Sequence, residues 1–477
     1  QMLARLRPPP AWLSLGRWPV FPPDRKVKVA TLAAPEESSA PDISYGQMAS
    51  VAAVSLYPHC QGRPYREGDP ICDRVQLVLY ASAAALVLTD GCNWGEKPRK
   101  ASRYANRAIL AYLSAHVSSL STVSSAVHLL VAALADGHLN IISQSEELWM
   151  GCTTTALAAL VLPVDQAAVE AELCADEHAA SEATKLAPTP YVFVCVNIGD
   201  CRVLHYCRRS GAITSVTCGS RTNALDATDP GGRLGSFRDG WPDLRNLSAF
   251  WVPVEEGDIV MGMSDGVYDN LDPQHQGVLP ADLGLSYGAW EEMAEFAVHS
   301  VKRTYIERFV EQRIIAGDAH MTPAKFKDRL LDHCISLTTK TREHLSGNPN
   351  SKITGNYREF PGKLDHSSIG AVRVGEASRW DEETVERGLY PTLEAKVLSF
   401  SAAPPARPVA TSQEEFLAAV ARELASLPQL PKIARAETSP DGLERGEGRL
   451  QVRRQRSTPA LSGDKKGWVM TKPRGKR

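Results

Sequence analysis

The chain has 477 residues, 43% of them hydrophobic, and a formal net charge of -2. That length carries one large domain with tails, or two domains, and the near-neutral balance provides no global field of the kind that draws a protein to nucleic acid. The charge is uneven, though: between Arg445 and Arg477 only Glu447 and Asp464 offset a run of Lys and Arg, so a basic tail follows a more acidic body.

Residues 1–44 are rich in Pro, Ala and Ser, and are expected to lack regular structure. Arg5, Arg7 and Arg17 faintly suggest a transit peptide, but Pro8, Pro9 and Pro10 oppose the amphipathic helix it would need, and the compact apolar core of a secretory signal is missing. From 45 to 376 apolar, β-branched runs alternate with helical patterns. VQLVLY at 75–80, AALVLTDG at 84–91, YVFVCVNIGDCRVLHY at 191–206 and GDIVMGMSDG at 257–266 read as buried strands. A helix is predicted from Pro98 to about Ser118, with Ala105, Ile109, Leu110 and Leu113 on one face, and a long helical stretch over 289–345. The Ala/Glu-rich segment 163–189 reads as a surface insertion. Beyond 376, a linker at 401–410 leads into a helix over 412–427, where Ser412 and Glu415 form a capping box ahead of the stripe Phe416, Leu417, Val420, Leu424 and Leu427. That helix either packs back on the body or docks a partner. In the tail that follows, expected to be disordered, Ser457 lies three residues after Arg454 and two before Pro459, the pattern of a basophilic kinase site.

The ten cysteines lie scattered without CxxC spacing, as buried thiols of a reducing compartment do. No apolar run approaches the roughly 18 residues of a membrane span. The expected location is intracellular, the cytoplasm first, with nucleus and mitochondrion left open.

Four acidic stretches stand out: Asp69 and Asp73 in GDPICDRV, Asp90-Gly91 in VLTDGCNWG, Asp265-Gly266 and Asp269 in MSDGVYDN, and Asp365 in KLDHSS. A single Asp-Gly is an ordinary turn. Several carboxylates closing buried strands are instead the hard oxygen donors that magnesium and manganese prefer. Two such ions about 3.5–4 Å apart can activate water and clamp a phosphoryl group. The body has no GxSxG elbow, P-loop or HExxH to compete with that chemistry.

These stretches, with GCTTTALAAL at 151–160, VNIGDCRVLHY at 196–206, SDGVYDNL at 264–271 and KLDHSSIGAVRV at 363–374, resemble in order and wording the PPM family of metal-dependent protein phosphatases, over about residues 45–375. The resemblance implies an α+β fold, a four-layer αββα sandwich of two antiparallel sheets flanked by helices. It implies a serine/threonine phosphatase acting on phosphoproteins through water activated on two manganese or magnesium ions. Carried over by position, Asp90 would bridge both ions and Gly91 offer its carbonyl. Asp265 and Asp365 would complete one ion's shell, and Asp73 would hold the other ion or stand behind its ligands. Asp90 and Asp265 would carry catalysis. Asn197, Gly199 and Asp200 would form the turn of a hairpin, and Asp269 a helix start or turn.

Three positions depart from the family pattern. Cys72 stands where many members carry a metal-binding Glu, so that Asp69 or Asp73 would have to serve instead. Cys92 stands where eukaryotic members often carry a His proposed as general acid, and His366 replaces the usual Asn. A phosphate-gripping Arg is expected just upstream of Cys72, with Arg66 or Arg63 as candidates. Two rivals follow: a pseudophosphatase that uses the fold as a binding or scaffold module, and a hydrolase of small phosphates.

Overall fold

Leucine and β-branched runs become strands because burial on both faces rewards side chains that fit a pleated surface. The computed structural model describes residues 17–24, 28–34, 43–60, 62–63, 65–144, 152–175, 189–218, 221, 223–349, 351 and 355–379. The chain divides into units Gln1–Leu430 and Pro431–Arg477, and all of these residues belong to the first. The 412–427 helix and the basic tail lie outside the described residues.

Sheet one has six strands, in the order β1 (Lys28–Ala33), β4 (Arg74–Tyr80), β5 (Ala84–Thr89), β7 (Ala156–Pro163), β8 (Tyr191–Ile198) and β13 (Ser248–Val254). Sheet two has six more, in the order β10 (Ile213–Ser215), β9 (Arg202–Tyr206), β14 (Ile259–Met263), β15 (His366–Arg373), β3 (Ala49–Ser55) and β2 (Ile43–Tyr45). Every pairing in both is antiparallel. A small third sheet joins β12 (Trp241–Asp243), β11 (Arg233–Arg238) and β6 (Thr153–Thr154).

The sheets pack face to face through Leu77, Leu86, Leu157 and Phe193 of the first against Val203, Val260 and Val372 of the second. Gly262 and Gly370 let them close: a Cβ there would stand 2.8 and 2.5 Å from Leu86. The outer face of sheet one, with Val87, Leu160 and Val194, is covered by α1 (Glu96–His116) and α2 (Val123–Ser143) through Ile109, Leu130 and Leu134. The outer face of sheet two, with Leu204, Met261 and Ile369, is covered by α5 (Glu295–Phe309) and α6 (Pro323–Leu337) through Ile306, Phe326 and Leu330. Each fully buried leucine stabilises this arrangement by about 1.5–3 kcal/mol. The layers are therefore helix, sheet, sheet, helix, the expected α+β sandwich.

The predicted helix from Pro98 begins at Glu96 and ends at His116. Helix α2 is long and apolar enough to cross a membrane by length and composition, but half of that apolar window is buried inside the fold, where it covers sheet one. The stretch 289–345 is interrupted rather than continuous. Helix α5 runs into a π-helical segment, Val310–Ile315, that stops at left-handed Ala316 (φ 51°). Thr322 then caps α6 by accepting from the Lys325 amide, and α7 (Thr339–Gly347) follows. Within 163–189, α3 spans Gln166–Ala175.

Two expectations are corrected. Part of 1–44 is structured: KVATLA at 28–33 forms the edge strand β1 beside β4, and Trp18 and Val20 are buried against sheet one and its helices. The run VKVATLA alternates, and the surrounding Pro and Ala masked it. The stretch 191–206 is no hairpin either. β8 pairs with β7 and β13 in sheet one, whereas β9 pairs with β10 and β14 in sheet two. The chain crosses between sheets at Gly199, whose φ of 104° few side chains could adopt.

Candidate metal centre

The antiparallel registers decide where the acids meet. Asp73 immediately precedes β4 and Asp90 immediately follows β5, and these strands pair with Arg74 opposite Thr89. Asp265 follows β14 by two residues and Asp365 immediately precedes β15, with Met263 opposite Ile369. Asp200 lies just before β9, where Arg202 is opposite Met263. All five carboxylates thus reach the same end of the sandwich. Carboxylate oxygens of Asp90, Asp200 and Asp265 lie within 4.8 Å of one another.

The local backbone holds them there. Asp90 turns out of its strand as its carbonyl accepts from the Thr155 amide and the Thr154 hydroxyl, each at 2.8 Å. Gly91 is pressed against α1, where a Cβ would come within 2.7 Å of the Pro98 carbonyl. From α1, Asn106 donates to the carbonyls of Arg74 and Val87, and Ser102 to that of Cys72, pinning the start of β4 and the end of β5 to one helix. Asp265 opens the short helix α4 (Asp265–Tyr268), and Gly266 lets that turn lie on β15: a Cβ would stand 2.0 Å from the His366 carbonyl.

Two cations of the chain enter the cluster. Arg221 donates Nε and Nη2 to Oδ2 of Asp200 at 3.0 and 2.6 Å, Nη2 also to Oδ2 of Asp265 at 2.8 Å, and Nη1 to Oδ1 of Asp269 at 2.8 Å. Lys363 donates its ammonium to Asp265, and at 3.0 Å each to Asp269 and Asp365. Burial opposes ionisation of Asp269, but Arg221 and Lys363 outweigh it and hold that carboxyl far below the usual range. Both cations remain charged well above their ordinary range, since the surrounding carboxylates overcome their own desolvation.

The other side of the cluster differs. Burial, and then repulsion from Asp365, push Asp73 up to about 7, and its buried Oδ2 has no hydrogen-bond partner among the described residues. Burial and then Asp73 raise Asp90 well above the carboxylate range, and burial with Asp265 takes Asp200 to about 6 despite Arg221. Burial and mutual repulsion thus disfavour the charged forms of Asp73 and Asp90, which a divalent cation between them would favour.

The structure places Asp73, Asp90, Asp265 and Asp365 at one end of the sandwich, with Asp90 and Asp265 in the group that closes within 4.8 Å. It adds four residues to which the sequence analysis gives no part in the cluster: Asp200, Arg221, Asp269 and Lys363. Asp269 opens the 3-10 turn Asp269–Leu271, as expected of a helix start, and with Asp200 it also faces the cluster and binds Arg221. Lys363, two residues before Asp365, was read only as part of a motif. Local sequence carries no signal for these residues, because their partners lie 21 to 98 residues away and meet only after folding. Arg66 donates Nη1 to the Tyr57 carbonyl at 2.8 Å, and Arg63 lies over the Tyr65 ring at 5.5 Å; the described contacts of both are outside the cluster. Asp69 accepts from the Arg66 amide at 2.6 Å, closing a turn. Cys72 is buried, its Sγ placed 3.4 Å from the carbonyls of Pro70 and Gly95, and burial pushes its pKa up to about 12. Cys92 is pushed up to about 11, also chiefly by burial. His366 accepts from the Cys72 amide through Nδ1 and meets Tyr57 edge-on, while the Tyr57 hydroxyl donates to Asp365 at 3.3 Å.

No protein-family model matches the chain. Over 240 residues it is 30% identical to the PP2C-like domain-containing protein CG9801 of Drosophila melanogaster. That match takes in 49% of this chain and 30% of the fly protein, so the chain spans about a third of that relative's length. Among solved structures, it is similar to the serine/threonine phosphatase PstP/Ppp of Mycobacterium tuberculosis (16% identity, 69% of this chain and 100% of that one, TM-score 0.36). It is likewise similar to the PPM Ser-Thr phosphatase MsPP of Mycobacterium smegmatis (12%, 70% and 100%, TM-score 0.35). PstP has also been solved in complex with two manganese ions (16%, 69% and 99%, TM-score 0.36). The chain thus folds as two six-stranded antiparallel sheets between helical layers, and over about half its length it is similar in sequence to a PP2C-like domain-containing protein.

Proposed function

We propose that the chain is a metal-dependent phosphatase of phosphoproteins, using manganese or magnesium at Asp73, Asp90, Asp200 and Asp265. The supporting observation is the convergence of Asp90, Asp200 and Asp265 oxygens within 4.8 Å beside the unpartnered Oδ2 of Asp73. A divalent ion bound there supplies an acidified water and neutralises phosphoryl charge. The chain's own part is positional. Strand ends fix the carboxylates, α1 pins Asp73 and Asp90 to each other, and Lys363 offers a fixed positive charge at the rim beside Asp365. The described contact of Arg66 is with the Tyr57 carbonyl, outside the cluster, so we look to Lys363, beside Asp365, for a cation facing a phosphoryl oxygen. The test is release of phosphate from a phosphothreonine peptide by the full chain with manganese, compared with Asp90→Asn. Equal turnover by the two proteins would remove the activity from this site.

One observation favours a second reading, a pseudophosphatase that serves as a binding or scaffold module. Asp265, Asp269 and Asp365 already have cationic partners in Lys363 and Arg221. In that reading the folded chain gives no metal-dependent turnover above Asp90→Asn, and retains its role through contacts alone.

A further inference from the structure

We infer that Lys363 stands in the place of one metal ion, so that the cluster takes a single divalent cation, on the Asp73–Asp90 side. This rests on the proposed metal binding but not on turnover.

The argument is one of position. Asp265 follows β14 and Asp365 precedes the adjacent antiparallel strand β15, and a magnesium ion shared between them would need an oxygen from each at about 2.0–2.1 Å. The ammonium of Lys363 already joins both, and Asp269 as well. Arg221 then takes up Asp200, Asp269 and the same Oδ2 of Asp265 that Lys363 uses. An ion entering between Asp265 and Asp365 would therefore have to expel a buried ammonium from three carboxylates and lie against a guanidinium. Leaving a buried charge without its partners is costly.

The opposite side lacks such an occupant. Neither Asp73 nor Asp90 has a cationic side-chain partner among the described ion pairs. Asp73 is 1% exposed, and its Oδ2 has no hydrogen-bond partner among the described residues, the nearby donors being the neutral hydroxyls of Ser264 and Ser368. Lys363 belongs to the strand-entry segment itself. Its amide is held by Asn270 Oδ1 at 2.8 Å, and Asn270 in turn donates to the Gly266 carbonyl, so the backbone beneath the ammonium is fixed to helix α4 and its continuation.

The experiment is manganese stoichiometry on the full chain, by equilibrium dialysis with metal analysis, alongside electron paramagnetic resonance of the loaded protein. The wild type is expected to bind one ion per chain with the spectrum of an isolated manganese. Lys363→Ser, which opens space for an ion and its water, is expected to bind two with a spin-coupled spectrum, and Lys363→Arg to return to one. Two coupled ions in the wild type would overturn the inference and leave the phosphatase proposal standing. One ion in the wild type without turnover would do the reverse. No ion in the folded wild type would remove both. A folded Lys363→Ser that still binds one ion would show that Lys363 is not what excludes the second. Were that variant unable to fold, the wild-type count and spectrum alone would decide.

Discussion

Arg221 places two of its nitrogens on a single oxygen of Asp200, at 3.0 and 2.6 Å, in a setting where both residues are almost wholly enclosed. The guanidinium is thereby committed to structure before any ligand arrives. Arg221→Ala should leave Asp200, Asp265 and Asp269 facing one another with Lys363 alone, a loss of about 3–5 kcal/mol for a broken buried ion pair. Chemical denaturation in chelator should show this loss, and added manganese should restore part of it. An unchanged midpoint would place Arg221 outside the stabilising network.

Asp265→Asn behaves differently. It removes one negative charge from a cluster with more carboxylates than cations, so the melting temperature should move little. If the proposed activity holds, manganese-dependent turnover should fall on the order of a hundredfold or more, as when one preorganised electrostatic group is removed from an active site. A melting temperature that collapses would instead mark the residue as structural.

Cys72 has its sulfur against two backbone carbonyls. A glutamate placed there would bring a carboxylate against two acceptors in a buried site, so Cys72→Glu should destabilise the metal-free protein rather than build a better ligand set. Cys72→Ser, which keeps a donor, should be tolerated. Native alkylation at pH 8 followed by peptide mass spectrometry should label exposed Cys218 and spare Cys72. Early labelling of Cys72 would show that its thiol faces solvent.

His138, buried on α2, accepts from the Gly235 amide through Nδ1 at 3.2 Å, and burial lowers its pKa to about 4. The folded state therefore resists the proton that the unfolded chain takes up near 6.5. The linked stability is fully present above that pH and is lost as pH falls towards about 4, up to about 3 kcal/mol in all. Denaturation midpoints measured from pH 7 to 4.5 should fall more steeply for the wild type than for His138→Gln. Parallel curves would show that His138 does not carry the dependence.

Much of this was legible in the sequence. Apolar runs ending in Asp-Gly located two strand ends, and the family resemblance carried by the order and wording of the motifs implied the sandwich and four of its carboxylates. What stayed hidden depends on pairing across distance. Whether Gly199-Asp200 turns a hairpin or crosses between sheets is settled by partners more than 40 residues away, such as β13 and β14. The orientation of Lys363 and Arg221 depends on carboxylates they meet only after folding. Strand β1 was missed because a short alternating run carries little weight amid Pro and Ala.

The strand ends remote from the acids offer a practical handle. At that end Tyr206 and Arg373 both pair with Ile259, and the β9–β10 connection passes through Arg208, Arg209 and Ser210, all exposed. A fluorescent reporter or a surface tether spliced between Arg209 and Ser210 would project from the end of the sandwich away from the carboxylates, joined to them only through the length of β9. It would allow binding to be followed on an immobilised or labelled chain while the charged end is left as it folds.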